Sequence, residues 1–263
     1  VTPVPILLYH SVGHTSAPAY RRWCIEPSLF GEHLSALRSA GYDCLTVSGL
    51  VDAVDAGALP ENPLLVTFDD GRADYAEHAL PQLENHGVVS TMYVVSSQVG
   101  GTSAWLGIPG ESDQPMMTWE DMRAAVACGH EIGSHSRTHP QLDVIARCDS
   151  HAEITGSRCD LEDGLGAPVR SFAYPHGHHR NREVVAVRDA GYDSACAVAD
   201  RWSWLGQDRF RLSRLIVDGD TTADELLARL SEPPAGPRHR SRVLKGGFRC
   251  VRWMQHRALR SPS

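Results

Sequence analysis

"LRSAGYDCLTV", residues 37–47, reads as the last turn of a helix, a glycine and the opening of a strand. Gly41 suits the left-handed position just past a helix C-terminus, and the aromatic and β-branched residues after it suit a buried strand. The same unit returns as "LENHGVVSTMYVV" at 83–95, "AVACGHEIGSH" at 125–135 and "VRDAGYDSACAV" at 187–198, around Gly87, Gly129 and Gly191. Helices that alternate this regularly with strands imply an α/β fold with a mostly parallel sheet.

Working outward, the pattern predicts helices over 27–40, 48–57, 73–86, 118–128, 143–163, 181–190 and 222–231. Strands fall near 5–9, 43–47, 64–68, 89–95, 130–134, 169–173, 193–198 and 213–217. About seven or eight such units suit a (β/α) barrel, distorted or imperfectly closed. The alternative is an open doubly wound sheet, but its phosphate-binding glycine signature is missing from the strand–helix turns. The barrel is expected to occupy 1–231, with a separate tail over 232–263. The segment "VGGTSAWLGIPGESDQPMM", 99–117, is a long loop of the kind that lines the mouth of a barrel site.

Of the 263 residues, 42% are hydrophobic and 22% charged, a globular balance, and no apolar run approaches the length of about 18 residues that a spanning helix needs. The seven cysteines are scattered without a C-x-x-C pair, which argues against a disulfide framework or a thiolate zinc site and favours a reducing compartment. "VTPVPILLYH" lacks the features of a secretory signal, so a cytoplasmic location is expected, or an extracellular one if a leader was removed. After Glu232 no acidic residue remains while eight Lys and Arg follow, which leaves the body near −15 within a net charge of −7.

Chemistry concentrates at "LLVTFDDG", 64–71, where an apolar strand runs into two adjacent carboxylates. Burying two neighbouring anions is costly unless a cation is close. Candidate ligands for that cation stand in "GSHSRTHP", 133–140, where His135 and His139 follow a strand four residues apart and converge if the segment turns helically. Two imidazoles and one Asp leave a coordination position for water, as in catalytic rather than structural zinc sites. Either stretch alone is weak, since D-D-G is commonly a cap and turn. Both at the C-terminal ends of strands coincide with the end where barrel sites are built.

"TFDDG" at 67–71 and "HSRTHP" at 135–140 resemble the first two motifs of the polysaccharide deacetylase family, the NodB-homology carbohydrate esterases, with a likeness extending over roughly 4–220. The resemblance implies a distorted (β/α) barrel and metal-dependent removal of acetyl from an N-acetylated sugar. It makes Asp69 the general base and Asp70, His135 and His139 the ligands of one divalent ion, Zn2+ by preference. Because adjacent strand residues point to opposite sides, one carboxylate can ligate while the other works on water. "SFAYPHG", 171–177, is similar to the third motif; it places Tyr174, Pro175 and His176 at the substrate, with the His176 N–H as donor to the oxyanion.

An Arg that many members carry in this motif is replaced by Ala173, and Arg214 in "RLSRLIV" is the candidate to orient Asp69 instead. The family's late general-acid His is absent from "LSRLIVDGD". "ILLYHSVG" resembles a subgroup with an N-terminal Tyr-His, in which His10 takes the acid role, held protonated by the carboxylates. Trp119, Trp105, Trp202 and Trp204 are candidates to stack on a sugar ring, with core packing equally open for Trp119. Other outcomes remain: hydrolysis of another C–N bond on the same barrel, or a degenerate barrel kept for binding. The tail segment 243–260 alternates apolar and basic residues at helical spacing. This suits peripheral contact with an anionic membrane, with a disordered or core-docked tail equally open, and nucleic acid is not an expected partner given the acidic body.

Overall fold

The structure, a computed structural model, describes residues 2–231; the tail and its expected amphipathic helix lie outside them. Strands run in the order Ser194–Cys196, Ser171–Ala173, Glu131–Ser134, Ser90–Val94, Pro63–Phe68, Ile6–Tyr9 and Leu215–Ile216, every neighbouring pair parallel. Asp43–Leu45 adds to Pro63–Phe68 as the eighth strand. The sheet curls into a half-barrel, and its gap is spanned by one segment. Leu212 bridges Cys196 in parallel, and three residues later Leu215 pairs with Leu7. That spanning segment carries Arg214.

The helix–glycine–strand junctions form as the sequence dictates. Gly41, Gly87, Gly129 and Gly191 all have φ between 61° and 89°, a region in which only glycine escapes Cβ crowding. Two boundaries move for local reasons. The strand at 43 ends at Leu45 because Thr46 turns to cap the helix Val47–Asp55, its side chain accepting from the Gly49 N–H. The helix expected from 73 opens instead as a π turn over Tyr75–Ala79 before Leu80–His86 becomes α, since Pro81 has no N–H to close a regular turn onto Glu77. No helix among the described residues is long and apolar enough to cross a membrane, and their six cysteines are free thiols.

Period-two alternation sorts the strands' side chains. Ile6, Leu65, Tyr93, Ala173 and Cys196 cluster inside the curl, while Leu7, Val66, Phe68, Met92 and Phe172 pack outward against the helices. The N-terminal end of the curl is plugged by Glu131, whose carboxylate accepts from the Ser48 N–H (2.9 Å) and from the hydroxyls of Ser48 (2.6 Å), Thr91 (2.9 Å) and Ser171 (2.6 Å). The opposite end, where the strands finish, is left for chemistry.

Candidate metal and catalytic site

Leu65 and Thr67 face the interior, so the same alternation turns Asp69 inward at the end of its strand. There it meets Arg214, fully buried on the spanning segment, in a bidentate pair: Nη1 to Oδ1 at 2.6 Å and Nη2 to Oδ2 at 2.7 Å. The guanidinium is fixed further by the Ala197 carbonyl (3.2 Å), the Thr67 hydroxyl (3.3 Å) and the face of Tyr93. Burial alone would raise the Asp69 pKa; the Arg214 charge, then His135, outweigh it and hold the carboxyl at about 2.

Strand alternation does not account for Asp70. The strand ends at Phe68, and Asp70 takes a left-handed turn with φ 78°. This swings its carboxylate to the same side as Asp69: His135 Nε2 lies 3.7 Å from an oxygen of each. His139 Nε2 is 3.4 Å from Asp70 Oδ1. The two imidazoles do not converge through a helical turn either. Ser136 and His139 are both left-handed, at φ 63° and 61°, and the His139 N–H donates to the Ser136 hydroxyl at 3.1 Å. Among the described residues only one other non-glycine position besides Asp70, Ser136, His139 and His176 has positive φ, so this strain is concentrated where it aims side chains.

One ligand atom from each of Asp70, His135 and His139 lies within 4.8 Å of the others. His135 Nδ1 stands 2.9 Å from the Ala173 carbonyl, which can only accept, so Nδ1 carries the proton and Nε2 keeps its lone pair toward the carboxylates. Burial lowers the pKa of both rings, and for His139 neighbouring imidazoles lower it further, so both are neutral donors at neutral pH. Burial pushes Asp70 up to about 6, with Asp69 adding to the effect. A bound cation favours the charged carboxylate that burial disfavours, and the donor set fits a divalent metal.

The remaining predicted residues divide. His10 is brought to the site, where its ring feels the charges of Asp70, Asp69, Arg214 and His135 and packs against Trp23 at 4.6 Å. Burial, however, outweighs the carboxylates and lowers its pKa, so the resting ring is neutral rather than held protonated. His176 is left-handed at φ 57°, exposed at the mouth, with its ring 4.7 Å from that of His139. Pro175 is buried beneath it. Tyr174 faces away: it is 0% exposed and its hydroxyl donates to the Phe210 carbonyl at 3.1 Å, so it anchors the loop instead of meeting substrate. Trp119 packs against Gly164 in the helical layer, where a methyl group would overlap the indole at 2.2 Å, and this packing displaces the stacking role. Trp105, on the long loop, does reach the site, its ring 5.8 Å from that of His139.

Sequence reasoning missed Trp23 and a buried network behind Asp70. Arg72 donates to Glu111 (2.9 Å) and Asp74 (3.2 Å), and the hydroxyls of Thr15 and Ser11 donate to Glu111 and Asp74. An Arg immediately after the D-D-G, opposite a lone Glu in a polar loop, was the available signal.

The model of the polysaccharide deacetylase family matches residues 56–195, more than half of the chain and the whole span from Asp69 to His176. The chain belongs to the polysaccharide deacetylase family. Among relatives, YxkH of Bacillus subtilis (strain 168) is 24% identical over 215 residues, 81% of this chain and 71% of YxkH. A chitooligosaccharide deacetylase of Bradyrhizobium sp. (strain ANU 289) is 28% identical over 148 residues, 55% of this chain and 60% of that protein. The polysaccharide deacetylase fold is shared with the Streptococcus pyogenes deacetylase PplD, solved in complex with acetate, at a TM-score of 0.76 and 21% identity over 88% of this chain and 99% of that one.

Proposed function

We propose that this polysaccharide deacetylase is a metal-dependent N-deacetylase that hydrolyses the acetamide of an N-acetylated amino sugar to a free amine and acetate. The observation that carries the reading is the convergence of Asp70, His135 and His139 beside a carboxylate, Asp69, kept anionic by Arg214. The named chitooligosaccharide deacetylase among its relatives supports the substrate class. A divalent cation on those three ligands, Zn2+ by the donor set, would supply Lewis-acid polarisation of the amide carbonyl and a more acidic water.

The chain's own residues divide the rest. Asp69 faces the site in a fixed orientation and accepts a proton from the attacking water. With a pKa near 2 it cannot retain that proton. Hydrolysis moves one proton from water to the departing nitrogen, and His10, neutral at rest, receives it from the base and delivers it to the amine. The backbone N–H of His176, turned by its left-handed φ, is the donor to the developing oxyanion.

Elemental analysis and Zn2+ titration, paired with mass spectrometry of N-acetylated sugars and glycosides for loss of acetyl, test the reading. Asp69→Asn is expected to keep metal and lose turnover, His139→Ala to lose metal. A chain that holds no divalent ion and binds none on titration refutes it.

A further inference from the structure

Tyr20 is the buried ionisable group beside the site to which nothing above gives a role. It is 2% exposed, and its hydroxyl has no hydrogen-bond partner among the described residues. A buried O–H without an acceptor is destabilising, whereas phenylalanine would fill the same space without that cost. The ring is not loosely held. The Arg72 guanidinium lies over its face at 4.7 Å, and Glu111 and Asp74 fix that guanidinium from its edges. The backbone is pinned on both sides, Tyr20 N–H to the Ala17 carbonyl at 3.0 Å and Trp23 N–H to the Tyr20 carbonyl at 2.8 Å.

Arg72 is two residues beyond Asp70, so the clamp that orients the phenol belongs to the same turn as the metal ligand. After burial itself, the Asp70 charge is the largest influence on the Tyr20 hydroxyl. On the Asp70 side, the nearest approach of each imidazole is to Oδ1, and among the described residues no side chain donates a hydrogen bond to this carboxylate. An O–H in need of an acceptor is therefore held, through Arg72, in the neighbourhood of a carboxylate whose charge it feels and whose Oδ2 has no donor among the described residues. Carboxylates that ligate metals are commonly oriented by such a donor.

We propose that Tyr20 is a positioning residue of the metal site, its O–H donating to the Asp70 carboxylate when the carboxylate's other oxygen holds the cation. The inference rests on the metal-dependent reading above. Its test is Tyr20→Phe in the full chain, with Zn2+ affinity measured by competition against a chromophoric chelator and the Co2+-loaded protein compared by visible spectrum. Tyr20→Phe should weaken Zn2+ binding 10- to 100-fold and alter the Co2+ band, while the metal-free protein melts at the wild-type temperature or above. Tyr42→Phe, which removes a distant hydroxyl bonded to the Leu230 carbonyl, should leave Zn2+ affinity unchanged.

Zn2+ affinity in Tyr20→Phe within twofold of wild type overturns the role of Tyr20. So does weaker binding that comes together with a lower melting temperature of the metal-free protein, which marks Tyr20 as a packing residue. A wild-type chain that binds no Zn2+ refutes the underlying deacetylase reading instead.

Discussion

Replacing Arg214 by Met deletes the guanidinium while keeping an apolar stem in a site that is 0% exposed. In the wild-type protein the Asp69 pKa is lowered from 3.8 to about 2, which corresponds to about 2.5 kcal/mol of stability. Because the folded value is the lower one, this contribution is complete above pH 3.8 and fades only as pH falls toward 2, so it is flat between pH 5 and 8. Without Arg214 the carboxylate stays buried with no bidentate partner, and breaking such a pair costs about 3–5 kcal/mol. Burial then lifts the Asp69 pKa above its unfolded value, and stability is lost as pH rises through that raised value. Urea denaturation of metal-free protein should therefore show an Arg214→Met deficit that widens from pH 5 to pH 8. Asp69→Asn placed on Arg214→Met should recover most of it, since neither partner is then a buried ion. A deficit below about 1 kcal/mol, or one that is constant with pH and unrepaired by the second change, refutes the account of the pair.

Asp70 titrates in the opposite sense. Its folded pKa, raised to about 6, gives stability that is present below 3.8 and lost as pH rises through 6, about 3 kcal/mol in full. Metal-free wild type should accordingly melt lower at pH 8 than at pH 5, and Asp70→Asn or added Zn2+ should each flatten that slope in thermal scans. Glu131→Gln sets an amide among donors that now meet a carboxylate and should cost about 2–3 kcal/mol in denaturant titration. Because the plug lies at the far end of the strands, kcat should be unchanged. Gly177→Ala puts a methyl 2.4 Å from the Val198 nitrogen at φ 71°. It should displace His176 and reduce kcat at least tenfold, with Zn2+ affinity within a few-fold of wild type.

The strands and helices were legible because each carries its own punctuation: a glycine that must be left-handed, then β-branched or aromatic residues. The ligand triad was legible because D-D-G and H-x-x-x-H preserve residue type and order. What could not be read was direction. An aromatic residue at a strand end or a helix start looks the same whether its ring meets solvent or core, so sequence points Tyr174 to substrate and leaves Trp119 open between stacking and packing; the Phe210 carbonyl and the bare backbone of Gly164 decide both for the core. Nor does spacing connect Arg72 with Glu111, 39 residues apart in a loop without period. His10 was found by position, but its protonation state follows from a balance between burial and two carboxylates that only coordinates can weigh.

The left-handed residues explain why regular structure could not have built this site. A strand carried on through Asp70 would send its carboxylate outward to the helices, and a helix from His135 would have to pass Pro140. Single left-handed turns at Asp70, Ser136 and His139 redirect the three ligands inward, each at a cost of about 1–3 kcal/mol. Asp and His tolerate that region better than most residues, so the side chains that suit the metal also suit the turn. Strain and buried charge thus oppose folding at the same few residues. The bidentate Arg214 pair offsets this cost for Asp69, and a cation shared with two neutral imidazoles can offset it for Asp70, which ties the stability of this end of the barrel to the groups that would carry out the reaction.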